Sequence, residues 1–178
     1  MAAMALPALP HFQPDADTGL GCILDTETTG LGSTDEAIEL ALLLFAYQRS
    51  TGTVLGVVDE YAGLREPTVP IQPGAEAVHG ISAAEVRGQQ LDYLRVESIL
   101  ARAEFIIAHN ASFDYRFVCP LSETAKEKPW LCSMTGVDWY GKGFQSRALQ
   151  RLLGEHKIRL PQAHRAMADV YGVLYLLT

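Results

Sequence analysis

The first half of the chain is a succession of apolar runs separated by turn-forming residues. Residues 19–30 begin with an apolar run and end in Thr and Gly, so they predict a buried strand followed by a turn. Residues 36–64 predict two further strands joined by a hairpin turn at residues 50–52. The apolar spacing of residues 36–45 also fits a helix, and we favour the strand. The first half therefore predicts a three-strand meander.

Strand-like and helical patterns alternate in the second half of the chain. Residues 65–76 contain three prolines and predict an extended loop. A short apolar strand at 105–110 is followed by a helix over 111–128 with Ser112 as its N-cap and an interruption at Pro120. The remaining predicted elements are a short strand at 130–134 and helices at 82–90, 92–104, 146–157 and 163–178. A meander followed by this alternation (βαβα) predicts an α/β fold with a mixed β-sheet flanked by helices.

The composition fits one globular domain with a sizeable core. The chain has 178 residues, of which 48% are hydrophobic and 20% are charged. No apolar run reaches the roughly 18 residues that a membrane span needs, so we expect no membrane partner. Three cysteines without a metal-type spacing favour reduced thiols and a cytoplasmic location. We interpret residues 1–18, with Pro7, Pro10 and Pro14 and no basic residue ahead of the apolar part, as a flexible leader to a domain over residues 19–178.

Charge is distributed unevenly along the chain. The net charge of −7 argues against indiscriminate binding to polyanions. Residues 1–114 contain 5 basic and 16 acidic residues, whereas residues 115–168 contain 9 basic and 4 acidic ones. This asymmetry permits a phosphate-facing surface on the second half, although charge alone favours a solvated helix face. The basic residues that are candidates for following a nucleic-acid backbone are Arg116, Lys142, Arg147, Arg151 and Arg165.

Two acidic residues, Asp25 and Glu27, come directly after the first buried strand. Because strand side chains alternate, both point to the same side of the sheet. Burying carboxylates is costly unless a positive partner meets them. Taken alone, the pair is also explained as two solvated acids at a turn.

Two later acidic residues occupy comparable positions. Asp114 lies in the first turn of the helix expected after residue 110, where the helix dipole alone explains an acid. Asp169 lies in an apolar helix between Ala168 and Val170, which leaves little solvated face. Together, the four acids indicate a site for hard divalent cations such as Mg²⁺, and two such ions can clamp a phosphodiester.

Three motifs resemble those of a known family. The segments LDTETTGL, HNASFD and HRAMAD, at residues 24–31, 109–114 and 164–169, resemble in order and separation the exonuclease motifs of the DEDDh (DnaQ-like) 3′–5′ exonucleases. The similarity is greatest to the proofreading epsilon subunit of bacterial DNA polymerase III and its stand-alone relatives. The segment AVHGIS, residues 77–82, resembles a further family element. The resemblance extends from about residue 20 to the end of the chain.

The resemblance implies a ribonuclease-H-like fold and assigns roles to individual residues. It implies that Asp25, Glu27, Asp114 and Asp169 ligate two divalent cations, Mg²⁺ or Mn²⁺, and that His164 is the general base. It also implies a set of residues that hold the 3′-terminal nucleotide of a nucleic acid, namely Thr28, Thr29, Leu31, Val78, His79, Asn110 and Phe113. Among these, Phe113, Leu31 or His79 would stack on or wedge against bases, with core packing as the alternative for Phe113.

Spacing alone does not choose the general base. His109 precedes Asp114 by five residues, just as His164 precedes Asp169. On one regular helix, five residues would place His164 and Asp169 about 140° apart, so we expect His164 in a loop or first turn before a helix that starts late. His109 directly follows an apolar strand and is interpreted as structural. We therefore favour His164, since an imidazole can accept a proton near neutral pH.

The predicted activity is metal-dependent hydrolysis of single-stranded DNA, or of frayed 3′ ends, to nucleoside 5′-monophosphates. The first alternative is a 3′–5′ exoribonuclease acting on short or 3′-overhanging RNA, because its chemistry is the same. The second is a nucleic-acid-binding module with a decayed catalytic site, against which the presence of all five catalytic residues argues. The chain ends nine residues after Asp169. We therefore expect a stand-alone nuclease, with non-covalent binding to a polymerase or another repair protein as the alternative.

Overall fold

One five-stranded sheet organises the chain in the computed structural model, which describes residues 6–158, 160 and 164–178. The strands are β1 (Thr18–Thr28), β2 (Ala37–Gln48), β3 (Val54–Leu64), β4 (Ile106–Ala108) and β5 (Trp130–Cys132). The first three form an antiparallel meander, and β4 and β5 add in parallel on the free side of β1. The sheet order is β3-β2-β1-β4-β5, which confirms the predicted mixed α/β sheet.

Helices cover both faces of this sheet. Within the described ranges they are α1 (Pro73–His79), α2 (Ala83–Val86), α3 (Tyr93–Arg102), α4 (Ala111–Val118), α5 (Glu123–Glu127), α6 (Leu149–Glu155) and α7 (Ala166–Leu176). No helix in that part of the chain is long and apolar enough to cross a bilayer.

The loop predicted over residues 65–76 is shorter than expected. Helix α1 begins at Pro73, and its N-cap residue is Gln72. Proline is well tolerated at the first helical position because the amide hydrogen that it lacks has no partner in the helix. The prediction of a loop from three prolines is therefore correct up to residue 72, and it is wrong from Pro73 onward, where the proline begins a helix.

The helix predicted over residues 111–128 is two helices, α4 and α5. Ser112 is not the N-cap of α4, because Asn110 occupies that position with a φ of 90°. The chain turns after Val118, and Ser122 begins α5 by accepting a hydrogen bond from the backbone N of Ala125 at 3.0 Å. A serine side chain can cap a helix only where the backbone at that residue takes the N-cap conformation, so the presence of Ser112 did not by itself locate the N-cap.

Strand β2 is buried on both faces, which explains its ambiguous sequence pattern. Every residue from Ala37 to Ala46 is buried. One face packs Leu42 and its alternate neighbours against α3, and the other packs Leu43 and its neighbours against α7. A strand that is covered on both sides carries no polar alternation, so its period of two is not visible in the sequence.

Part of the segment interpreted as a leader lies along the edge of the sheet. Residue Ala8 forms a parallel bridge with Val57 of β3, and Val57 N donates to Pro7 O at 2.9 Å. The side chains of Leu9 and Phe12 pack against the main core. Residues from 6 onward therefore add to the β3 edge, while residues 1–5 lie outside the described ranges.

Aromatic rings cover Gly19 and Gly21 of β1. The rings of Phe45, Tyr47 and Phe105 pack together, with centroids 5.5 Å apart for Tyr47 and Phe105. A Cβ atom on Gly21 would lie 2.6 Å from Cζ of Phe45 and 2.8 Å from Cε2 of Phe105. Glycine in a strand commonly marks such a close approach.

We expect Gly21→Ala to lower the free energy of unfolding by about 1–3 kcal/mol, because the added methyl group overpacks the ring cluster. The matched control is Gly154→Ala in α6, where an added Cβ meets no atom within 4 Å outside its own helix. That control should be neutral or stabilising by up to about 1 kcal/mol. Urea unfolding measures both variants, and equal losses of stability would contradict the close packing over β1.

Candidate active site

The end of β1 carries two carboxylates to one edge of the sheet. Residues Cys22 to Leu24 are fully buried, whereas Asp25 and Glu27 are half-buried where the strand leaves the core. The pairing of β1 with β2 shifts register between Glu27 and Thr28. Irregularities of this kind re-aim side chains and are common beside active sites.

Helix α7 brings a third carboxylate to the same point. It packs on the sheet through Ala166, Val170 and Val173, and Asp169 lies in its first turn. One carboxylate oxygen from each of Asp25, Glu27 and Asp169 lies within 4.8 Å of the other two. Acids from near the start and the end of the chain therefore meet in space, as the sequence analysis requires.

Asp114 lies beside these three carboxylates. It is 3% exposed, and its Oδ1 accepts hydrogen bonds from the backbone N of Thr26 at 3.1 Å and from the Thr26 hydroxyl at 2.9 Å. The α4 helix places it there because α4 directly follows β4, the parallel neighbour of β1. Its charge is near enough to raise the pKa of Asp25. The ligand role of Asp114 stays a prediction.

Crowding and burial raise the pKa values of all four acids. Burial is the main cause for Asp25, and the charges of Asp114, Asp169 and Glu27 add to it. Burial together with the charge of Asp169 raises the pKa of Glu27 to about 8. Burial raises the pKa of Asp114 to about 7, although the hydrogen bonds from Thr26 oppose the shift. Burial also raises the pKa of Asp169. Such a site is stabilised by any cation that neutralises it.

The donor set suits hard divalent cations. Carboxylate oxygens are the ligands that Mg²⁺ and Mn²⁺ prefer. The charge of Arg165 partly opposes the rise in the pKa of Glu27. This arginine is itself paired with Glu39, with its Nη2 2.7 Å from Oε1 of Glu39. Among the described residues no salt bridge engages Asp25, Glu27 or Asp169, and a divalent cation fits these three carboxylates.

His164 lies in the turn before α7, two residues ahead of the first helical residue. The late helix start that we expected is confirmed, because α7 begins at Ala166. The His164 side chain is exposed, and its φ of 62° is in the left-handed region that non-glycine residues seldom adopt. The proximity of His164 and a hydrogen bond from its backbone partly oppose the rise that burial causes in the pKa of Asp169, so the two residues are close.

His109 is held on both sides of its ring. Its Nδ1 lies 2.9 Å from the hydroxyl of Ser133, and its Nε2 lies 2.8 Å from the backbone O of Arg147. Burial lowers its pKa. A histidine with both nitrogens engaged is structural, which agrees with the sequence-based interpretation.

A groove of about 350 Å³ opens next to Glu27. It is lined by five of the seven residues predicted to bind substrate, namely Thr28, Leu31, Val78, His79 and Phe113. The side chains of Leu31 and Val78 are 76% and 57% exposed, so large apolar surface faces solvent here. Exposed apolar side chains rimming a groove are typical of a binding site.

Three of the predicted substrate residues differ from the rest in their surroundings. The side chains of Thr29 and His79 are hydrogen-bonded within the protein, and Asn110 lies outside the groove lining. Thr29 is fully buried, and its hydroxyl donates to Asp35 at 2.8 Å, so it shapes the loop after β1 from inside. His79 is also buried, accepts from Ile81 N at 2.9 Å through Nδ1 and has Nε2 3.3 Å from Thr28 O. Asn110 is exposed outside the groove lining.

Sequence reasoning missed Glu39, which holds the start of α7. Its carboxylate receives Nε and Nη2 of Arg165 and the backbone N–H of Ala166, the last at 2.9 Å. Glu39 faces Glu27 across the β1–β2 pair. It is the one charged residue in the apolar run from Ala37 to Ala46, and that isolation is the signal that could have found it.

Two further residues tie the site together. Gln150 of α6 donates from Nε2 to Oδ1 of Asp169 at 2.7 Å, a contact with no local signal in the sequence. Arg116 donates to Leu31 O at 2.8 Å and lies over the ring of Phe113 at 5.1 Å. Arg116 and Arg165, both proposed from sequence as backbone contacts, are therefore already engaged within the protein.

Comparison with known proteins identifies the family. The exonuclease family model RNase_T matches residues 22–177. Exodeoxyribonuclease 10 of Escherichia coli K12 is 32% identical over 164 residues, which cover 87% of this chain and 66% of that protein. The PolC-type DNA polymerase III of Thermotoga maritima is 31% identical over 152 residues, which cover 83% of this chain.

Solved structures share the fold. Exonuclease X in complex with 5′ overhanging duplex DNA matches with a TM-score of 0.63 and 28% identity, covering 88% of this chain and 87% of that one. Exonuclease I of Escherichia coli, in complex with a dT13 oligonucleotide, matches with a TM-score of 0.67 and 21% identity, covering 88% of this chain and 39% of that one. The predicted ribonuclease-H-like fold is thus confirmed.

The chain spans only part of the proteins that it matches in sequence. It covers 9–10% of the Thermotoga PolC-type polymerases and 66% of exodeoxyribonuclease 10. The family model, by contrast, covers most of the chain. The chain therefore belongs to the RNase_T exonuclease family, as its three motifs and their resemblance to the DEDDh 3′–5′ exonucleases predict.

Proposed function

We propose that this protein is a metal-dependent 3′–5′ exonuclease that hydrolyses single-stranded DNA, or frayed 3′ ends, to nucleoside 5′-monophosphates. The observation that carries the proposal is the convergence of carboxylate oxygens from Asp25, Glu27 and Asp169 within 4.8 Å. Membership of an exonuclease family supports the reaction class. The names of two matched proteins, exodeoxyribonuclease 10 and exonuclease X with duplex DNA, support DNA over RNA.

Asp25, Glu27, Asp114 and Asp169 would hold two divalent cations, Mg²⁺ or Mn²⁺. When bound, such ions supply an activated water and stabilise the leaving oxygen of a phosphodiester. The protein's own contribution is to hold the oxygens in place: Gln150 orients Asp169, and Thr26 orients Asp114. The charges of Asp114, Asp169 and Glu27 all raise the pKa of Asp25, so Asp25 lies near all three and would be a ligand common to the whole site.

His164 would accept the proton of the attacking water. Its exposed ring precedes α7 and lies close to Asp169, so it is at the edge of the site and free to exchange its proton with solvent. The water oxygen bonds to phosphorus, the bond between phosphorus and the 3′ oxygen of the preceding nucleotide breaks, and that oxygen takes up a proton from solvent. The released nucleotide keeps its phosphate at the 5′ position. General base catalysis of this kind contributes about 10²- to 10⁴-fold.

The groove beside Glu27 would hold the terminal nucleotide. Leu31, Val78 and Phe113 present apolar surface, which stacks against any base and so suits an enzyme that removes nucleotides regardless of sequence. Arg116 fixes Leu31 O and so sets the position of one wall. The relatives named DNA polymerase III PolC-type support association with a polymerase as the alternative to a stand-alone nuclease.

The substrate preference is tested with three 3′-labelled substrates: single-stranded DNA, duplex DNA with a terminal mismatch, and short RNA. We expect Mg²⁺- or Mn²⁺-dependent release of the 3′ nucleotide, fastest from single-stranded DNA. Asp25→Asn should abolish release because it removes a shared ligand, whereas Glu127→Gln, an exposed acid at the end of α5, should not. Faster release from RNA would favour the exoribonuclease alternative, and full activity of Asp25→Asn would refute the metal site.

We expect His164→Ala to lower kcat about 10²- to 10⁴-fold, because the attacking water loses its proton acceptor. His11→Ala, which removes another exposed histidine, should leave kcat unchanged. The metal-induced rise in melting temperature should be the same in both variants, because neither removes a ligand. An unchanged kcat in His164→Ala would exclude this residue from the mechanism.

We expect the metal-free protein to lose stability as the pH rises from about 4 to about 8, between the ordinary and the folded-state pKa values of two acids. Glu27 and Asp114 have pKa values of about 8 and about 7 in the folded protein, against ordinary values of 4.5 and 3.8. The folded state therefore binds more protons in this window, and the stability present at low pH is lost as each acid ionises.

The same linkage predicts that Mg²⁺ or Mn²⁺ stabilises the protein more at high pH than at low pH, because the cation binds the ionised acids. Melting temperatures measured with metal and with chelator, at constant ionic strength, provide the test. Glu27→Gln should reduce both the pH dependence and the metal effect, while Glu127→Gln should preserve them. A metal effect that is independent of pH in the wild type would contradict the assignment.

A further inference from the structure

The segment between β5 and α6 presents a basic and aromatic surface that the proposed chemistry does not use. Residues 133–151 contain the exposed basic residues Lys142, Arg147 and Arg151 and one acidic residue, Asp138, whose carboxylate accepts a hydrogen bond from Gly141 N at 2.9 Å. Tyr140 is 57% exposed, and the guanidinium carbon of Arg147 lies 5.6 Å from the centroid of its ring. We refer to Tyr140 and Arg147 as the platform.

The platform stands on an ordered loop. Trp139 is 3% exposed and donates from Nε1 to Ser133 O at 2.8 Å. Its ring packs edge-on against Phe144 with centroids 5.7 Å apart, and Phe144 stacks on His156 at 4.5 Å. This internal aromatic cluster fixes the loop and leaves the ring of Tyr140 turned towards solvent. An exposed aromatic ring on a fixed loop is ready to stack without further ordering.

The Arg147 end of the platform is joined to the active-site edge by two hydrogen bonds. The backbone O of Arg147 accepts from His109, which follows β4 and neighbours Asn110 at the start of α4. Three residues later, Gln150 donates to Asp169 of the carboxylate cluster. The platform therefore lies on the β4 and α6 side of the carboxylates, whereas the groove is built from the loop after β1 and from α1.

The chemistry of the platform suits a nucleic-acid strand. An aromatic ring stacks on a base of any sequence, and an arginine beside it contacts phosphate. If the terminal nucleotide lies in the groove and the cleaved bond lies at the carboxylates, the strand leaves on the platform side. We propose that Tyr140 stacks on a base upstream of the cleaved bond and that Arg147 binds the adjoining phosphate, with Lys142 and Arg151 flanking the strand. This inference rests on the proposed exonuclease function.

The platform predicts a dependence of affinity on substrate length. Tyr140→Ala and Arg147→Ala are compared with wild type on a DNA dinucleotide, which reaches only the groove, and on single-stranded DNA of about twelve nucleotides. We expect each variant to raise KM for the long substrate about tenfold and to leave KM for the dinucleotide unchanged. Arg147→Ala keeps the backbone carbonyl that His109 binds, so the site stays assembled.

Salt dependence and conservative variants separate the two contacts. Arg147→Ala should lessen the slope of log KM against log salt for the long substrate by about 0.7, the value for one phosphate contact on a single strand, while Tyr140→Ala should not. Tyr140→Phe should restore the affinity because the ring is kept. Arg87→Ala removes an exposed arginine just after α2, and KM should not change for either substrate.

An unchanged KM for the long substrate, with normal dinucleotide hydrolysis, would overturn the platform and leave the exonuclease proposal standing. An equal loss on both substrates would also overturn it, because that result indicates damage to the site itself. If wild type hydrolyses neither substrate with Mg²⁺ or Mn²⁺, the exonuclease proposal fails, and the platform fails with it.

Discussion

Repulsion among buried carboxylates is the constraint on which the active edge of this protein depends. Asp25, Glu27 and Asp169 bring oxygens within 4.8 Å of one another, and burial is the main cause that raises their pKa values, with the charge of neighbouring acids adding to it. An isolated cluster of this kind would move apart or remain protonated. It stays assembled because β1 is the central strand of the sheet and α7 packs across it, so the apolar core fixes the positions of the charges.

The hydrogen bonds around the cluster orient the acids without neutralising them. Gln150 and Thr26 donate neutral hydrogen bonds to Asp169 and Asp114. The guanidinium of Arg165 is paired with Glu39, which in turn accepts an amide hydrogen at the start of α7. A guanidinium placed among the carboxylates would have stabilised the fold and would have occupied the cation position. Pairing Arg165 with Glu39 instead anchors the helix that carries Asp169 and keeps the central charge available.

The features that the sequence predicted depend on residues near one another in the chain, whereas the features that it missed depend on contacts between distant residues or on backbone conformation. The meander, the mixed sheet and the convergence of the acids were predictable, because apolar runs, turns and motif order are local or ordered signals. The N-cap of α4 and the start of α1 were not, because capping depends on backbone conformation that Ser112 and Pro73 do not determine alone. The bond from Gln150 to Asp169 joins two helices through tertiary packing, which no spacing encodes. The sequence position of Thr29 did not indicate that its side chain is fully buried and bonded to Asp35.

The uneven charge of the chain is explained by the same constraint. A cluster of acids repels a phosphodiester as well as attracting cations, and a net charge of −7 adds to that repulsion at a distance. Bound cations reverse the sign at the cleaved bond itself, but an approaching strand also meets the protein beside it. Residues 139–151, with three basic and no acidic side chains, are bonded to the cluster through Gln150, and Arg147 O accepts from His109 ahead of α4. Under the proposed function, the positive charge of residues 139–151 lies on the side where a negatively charged strand would leave the site.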